Sequence, residues 1–170
     1  MTNNLPTNWQ ELQAAIEQWG TDRNFYGKGG ATYTGQWMKL VEEFGELVLG
    51  LNKNKPELIK DALGDMVVVL VHMNRLYEDS PDCFMSEPER RISKLQTPLA
   101  IKIILDSVAN LYNESSFYCI YIGLLDQLSA LSSRYINLPL FDCVLASYIE
   151  IKDRKGKMID GKFIKNEDLN

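Results

Sequence analysis

Histidine and clustered cysteine are scarce in this chain. It has one histidine, His72, and three cysteines, Cys83, Cys119 and Cys143, with no C-x-x-C spacing and no Cys/His cluster. A zinc site is therefore not expected. An odd, scattered set of thiols suits a reducing cytoplasm. Basic residues are also in deficit: 18 Lys and Arg against 23 Asp and Glu, for a net charge of −5 and a pI near 5.0. That argues against a nucleic-acid binder, which would carry a basic patch. It leaves room for a nucleotide enzyme, since a metal ion supplies local positive charge. The opening MTNNLPTNWQ lacks the basic and apolar regions of a signal peptide. No apolar run approaches the ~20 residues of a membrane span. The glycine-rich stretch 20–35, GTDRNFYGKGGATYTG, lacks the G-K-[ST] of a P-loop. The expectation is a cytoplasmic protein without nucleic-acid or membrane partners.

Hydrophobic residues make up 45 % and charged residues 24 % of the 170 positions. That composition and length fit one globular domain with a real core. The most informative stretch is Lys39–Val71, KLVEEFGELVLGLNKNKPELIKDALGDMVVVLV. Two apolar runs flank a polar break, Asn52–Pro56. At ~100° per residue Leu40, Phe44, Leu47 and Leu51 form a helical stripe, bordered by Lys39, Glu43, Glu46 and Gly50. Glu42 lies further round, nearer water. In the second run Asp61, Asp65, Val68 and His72 share a face, and nearly everything else is apolar. Such a helix is normally buried. Asp65 then needs a proton, a basic partner or a metal. Pro56 suits the first turn of that helix.

Two readings of these acids compete. One is a solvated acidic face with i,i+4 pairs such as Lys39–Glu43. It accounts for Glu42 and poorly for Asp65. The other has two antiparallel helices turning their carboxylates toward each other, where repulsion calls for a cation. Oxygen-only ligands favour Mg²⁺ or Mn²⁺, and Mg²⁺ commonly pairs with substrate phosphates.

The run E-E-F-G-E, a short loop and D-A-L-G-D before a long apolar helix resembles the MazG-like all-α nucleoside triphosphate pyrophosphohydrolases. Their pattern is E-E-x-x-E followed by E-x-x-D. Glu42, Glu43 and Glu46 match the first half and Asp65 the final aspartate. Ala62 stands where the other acid belongs, and Asp61 is the nearest substitute. Gln36–Leu40 looks like the family's lead-in, and Glu150–Gly161 like the closing segment of phage-type members. The resemblance covers about residues 8–78 and 138–165. It implies an all-α helical bundle around the antiparallel acidic helix pair, assembled as a homodimer or homotetramer. It implies Mg²⁺ (or Mn²⁺) held by Glu43, Glu46, Asp61 and Asp65, with Glu42 orienting water or completing the metal shell. Gln36, Lys39, Lys152, Arg154 and Lys155 would contact the substrate. The reaction would convert a (deoxy)nucleoside triphosphate to its monophosphate and pyrophosphate, in the cytoplasm of a host if the chain is phage-encoded. A related nucleotide, deoxyuridine triphosphate or a guanosine tetraphosphate alarmone, is an alternative substrate. A non-catalytic helical module that lost a ligand at Ala62 is the third reading.

The rest of the chain reads as support for this pair. Asn8 and Glu11 form a capping box for a helix carrying Trp9, Leu12, Ile16 and Trp19 and ending at Gly20. The 20–35 loop is a connector or a lid; Arg23 and Lys28 are either solvated charges or phosphate contacts. Thr34 is read as the cap of the next helix. Arg75–Gln96, with Pro81 and Pro88, is a linker. Apolar stripes then mark helices from Leu99 to Tyr112, from Phe117 to Leu131, and after Pro139. Domain organisation is thus one domain over 1–170: the first helix and acidic pair in 8–78, scaffold helices in 79–137, and a closing helix with a basic tail in 138–165. Lys152, Arg154 and Lys155 either complement the helix dipole or bind phosphate. His72 is read as a core histidine with a local hydrogen bond.

Overall fold

A computed structural model describes residues 5–77, 96–112 and 117–166. Cys83, Glu114 and most of the expected linker lie outside them. The described chain is mainly helical: α1 (Trp9–Asp22), α2 (Tyr33–Asn52), α3 (Pro56–Leu76), α4 (Thr97–Leu111), α5 (Phe117–Tyr135) and α6 (Leu140–Ile151). It is not all-α. A two-stranded antiparallel hairpin, β1 (Gly156–Ile159) and β2 (Lys162–Lys165), follows α6 where a basic tail was expected.

Helix α3 is the axis of the fold. Leu63, Met66, Val67, Leu70, Val71 and Met73 are sealed from solvent, and α1, α2, α5 and α6 all pack against it. This is the outcome that its apolar circumference demands. Pro56 occupies the first turn, and the short Lys53–Lys55 link folds α3 back along α2. The link turns at Asn54, whose φ of 48° is left-handed.

Two local expectations shift. Thr32, not Thr34, caps α2, its hydroxyl accepting from the Gly35 N–H at 3.0 Å. Helix α1 runs through Gly20 to Asp22. Gly20 is needed for close approach instead of termination: a Cβ there would lie 2.9 Å from Tyr26 Oη and 3.0 Å from His72 Cε1. Asn8 does cap α1, accepting from Glu11 N–H at 2.9 Å. The Glu11 carboxylate reaches the Thr7 N–H and hydroxyl, both at 2.8 Å.

The hairpin has a plain cause. Asp160 and Gly161 sit at φ 49° and 78°, so both central turn residues are left-handed, as a type I′ turn requires. It is fastened to the loop after α1. Met158 N–H donates to Arg23 O at 2.7 Å and Gly161 N–H to Gly29 O at 3.2 Å. Arg23 in turn donates to the carbonyls of Trp19, Lys152 and Arg154, and its guanidinium lies over the Trp19 ring. Arg23 is thus a structural clasp that caps the end of α6. Trp19 Nε1 adds a bond to Ile151 O at 2.8 Å. No helix of the described residues is long and apolar enough to cross a membrane.

Candidate functional site

Where α1, α2, α3, α6 and the hairpin meet, they border a partly open cavity of about 380 Å³. Glu43 of α2 and Asp65 of α3 line it together, with Gln36, Lys39 and Arg154 beside them. Trp19, Phe25, Val68, Val69, His72 and Phe163 make the rest of its surface largely apolar. Two of the expected metal ligands and three of the expected substrate contacts therefore share one chamber.

Glu43 is only 3 % exposed. Lys39 Nζ lies 2.6 Å from Glu43 Oε1 and 3.1 Å from Glu42 Oε1. Burial lifts the Glu43 carboxyl above its ordinary range, Lys39 pulls it back, and Asp65 and Glu46 push it up again. For Lys39, partial burial favours the neutral amine, but its bonds to Glu43 and Glu42 outweigh this and raise its pKa. Asp65 is half-buried, and burial lifts its pKa too. The Ser147 hydroxyl opposes that lift, while Asp61 and Glu150 add to it. Ser147 Oγ itself is buried and makes no hydrogen bond of regular geometry. Its position follows from Gly64, which lets α6 press onto α3 directly beside Asp65.

The other expected site residues fall elsewhere. Glu46 is near enough to repel Glu43 but does not line the cavity. Asp61 is exposed outside it; one turn of α3 carries it about 6 Å along the axis from Asp65. Ala62 is fully buried. Glu42 sits on the water side, paired with Lys39. Lys152 pairs with Asp153 at 2.9 Å, and Lys155 borders an adjoining surface hollow with Arg154, Lys165 and Asn166. Arg154 pairs with Glu150 while lining the cavity. Among the described residues, no three Asp, Glu, His or Cys side chains stand close enough to hold a metal ion.

Ser147 and Phe163 were not foreseen. No spacing rule links Ser147 to Asp65, because contact between α3 and α6 is purely tertiary. Phe163 was in principle accessible: Asp160-Gly161 is a strong hairpin signal, and it predicts that residues on either side return to the body of the protein.

No family model matches the chain, and no solved structure matches it. It is 52 % identical over 62 residues to an uncharacterized 18.2 kDa protein from the rep-hol intergenic region of Haemophilus phage HP1. That stretch is 36 % of this chain and 37 % of the phage protein.

Proposed function

We propose that the protein is a Mg²⁺-dependent nucleotide pyrophosphohydrolase of the MazG-like kind, cleaving a (deoxy)nucleoside triphosphate to monophosphate and pyrophosphate. The observation that carries this reading is the meeting of Glu43 and Asp65, from two helices, in one nucleotide-sized cavity beside Gln36 and Arg154. The donor set is all oxygen, which suits a hard divalent cation, and both carboxyls are pushed toward protonation by burial and by their neighbours. Glu43 and Asp65 would hold the ion, with Glu46 adding negative potential. Bound there, Mg²⁺ would neutralise phosphate oxygens in the transition state. Arg154 would supply a forked donor set to the phosphates, and Gln36 a neutral hydrogen bond. Occupancy requires Lys39 to release Glu43. Assembly as a homodimer or homotetramer belongs to the same proposal.

A second reading, a helical binding module without catalysis, is favoured by the Lys39–Glu43 pair, which already compensates the most deeply buried acid. One assay separates them: pyrophosphate release from the common ribo- and deoxyribonucleoside triphosphates, deoxyuridine triphosphate and an alarmone, with and without Mg²⁺. Mg²⁺-dependent release that Asp65→Asn lowers by orders of magnitude is the expected result. Release from no member of the panel would defeat the enzyme reading.

A further inference from the structure

Ser147 sits on the inner face of α6, four residues before Ile151, which lines the cavity. The residue is 1 % exposed, and its hydroxyl oxygen is sealed from solvent without a hydrogen-bond partner of regular geometry. A helical serine commonly returns its hydroxyl to the carbonyl four residues back. Ser147 makes no such bond to Cys143. Native interiors rarely leave a buried hydroxyl idle.

Size alone does not account for a serine here. Gly64 brings α3 so close that a Cβ on it would lie 2.2 Å from Ser147 Oγ, so only a small side chain fits. Alanine is smaller still and would strand no polar group. The hydroxyl therefore calls for an acceptor nearby. Gly64 precedes Asp65 in the chain, and Asp65 lines the cavity. Burial raises the Asp65 pKa; the Ser147 hydroxyl opposes that rise more strongly than the Lys39 charge does. Toward a carboxylate a hydroxyl can only donate. Being sealed, it acts on the contents of the cavity only through Asp65.

We propose that Ser147 is a positioning residue for Asp65. Its hydroxyl donates to one carboxylate oxygen of Asp65, whose half-buried side chain closes the bond by rotating, and the other oxygen is thereby turned into the cavity. The proposal rests on the reading of Asp65 as a ligand to a divalent cation. A hydrogen bond behind a metal ligand fixes its orientation, and removing one commonly costs about ten- to a hundredfold in metal affinity.

Ser147→Ala removes the donor and keeps the packing, and two measurements on the full chain at neutral pH test it. In the metal-free protein the Asp65 carboxyl carbon is followed by NMR in mixed H₂O and D₂O. The parent should show a deuterium isotope shift that Ser147→Ala abolishes, with the Glu43 signal unmoved; a general disturbance of packing would move both. Mn²⁺ is then titrated without nucleotide, and the free ion is read by electron paramagnetic resonance. Ser147→Ala should weaken Mn²⁺ roughly tenfold or more, and Ser147→Cys, a weaker donor of similar size, should fall between variant and parent. An Asp65 signal indifferent to Ser147→Ala overturns the proposal, even where Mn²⁺ binds and the cation reading stands. Equal Mn²⁺ affinity in parent and Ser147→Ala overturns it as well. An isotope shift that depends on Ser147 in a parent that binds no Mn²⁺ does the reverse: the contact holds and the cation reading falls.

Discussion

Gly64→Ala should weaken the protein although it improves helix propensity. In an unobstructed helix the change would stabilise by up to about 1 kcal/mol. At Gly64 the new Cβ would lie 2.2 Å from Ser147 Oγ, 2.4 Å from the Cys143 carbonyl oxygen and 2.9 Å from its carbon. The serine hydroxyl can rotate away; the Cys143 carbonyl is backbone of α6 and cannot. Restoring van der Waals contact requires α6 to retreat by about 1 Å, undoing interior packing against α3 at a cost of roughly 1–3 kcal/mol or more. The net expectation is a loss of about 1–2 kcal/mol after the propensity gain is subtracted. For a chain of this size that is a fall in Tm of about 2–8 °C, measurable by urea and thermal denaturation. Gly123→Ala on α5 is the internal control. No atom lies within 4 Å of its Cβ position, so it should stabilise by a few tenths to about 1 kcal/mol. Equal gains at Gly64 and Gly123 would refute the close α3–α6 approach, and with it the account of how Ser147 reaches Asp65.

Three further outcomes follow from the site. Lys39→Met strands the Glu43 carboxylate, so stability should drop by about 1–3 kcal/mol, Lys39 itself being half-exposed; if the acids hold Mg²⁺, the ion should raise the variant's Tm more than the parent's, and equal shifts would favour the non-catalytic reading. Buried neutral His72 has a folded pKa near 3 against 6.5 unfolded, so its contribution is complete above pH 6.5 and is lost as pH falls toward 3, at up to about 1.4 kcal/mol per unit. Glu43 and Asp65, whose folded pKa values are raised, act with the opposite sign in the carboxylate range; urea midpoints from pH 7 to 5 should therefore fall more in the parent than in His72→Gln, and parallel curves would contradict the burial of a neutral ring. Gly161→Ala forces a Cβ onto a φ of 78°, so it should cost about 1 kcal/mol and loosen the hairpin, read as faster amide exchange at Met158 and Gly161.

The helix pair was legible because its signals are local. Pro56, the polar break and the apolar circumference of α3 each act within a turn or two of chain. The pairing of Lys39 with Glu43 is likewise an i,i+4 relation, and the sequence presents it as one of two readings; the structure realises it. The face shared by Asp65, Val68 and His72 could be drawn from periodicity alone, and all three line the cavity. Asp61 shares the angular position of Asp65, yet it is exposed and does not line the cavity. Gly20 misled: a glycine at the end of a periodic run signals termination, yet here the requirement came from Tyr26 and His72 pressing on it from outside the helix. The contributions of Ser147, Arg154 and Phe163 depend on how α6 and the hairpin return to the beginning of the chain, which no short window of sequence reports.

The clasp between Arg23 and the end of α6 imposes an order of events in time. Its bonds join residues 129 and 131 positions apart, and the Trp19–Ile151 bond spans 132. Contacts of such separation carry a loop-closure entropy cost, and during synthesis they cannot form until the end of α6 has left the ribosome. The helix pair with its acids can assemble from local contacts long before that. The cavity beside Glu43 and Asp65 is completed only when the hairpin, which contributes Met158, Gly161 and Phe163, has docked. Truncation within β2 should thus open that cavity while leaving most of the helical signal intact.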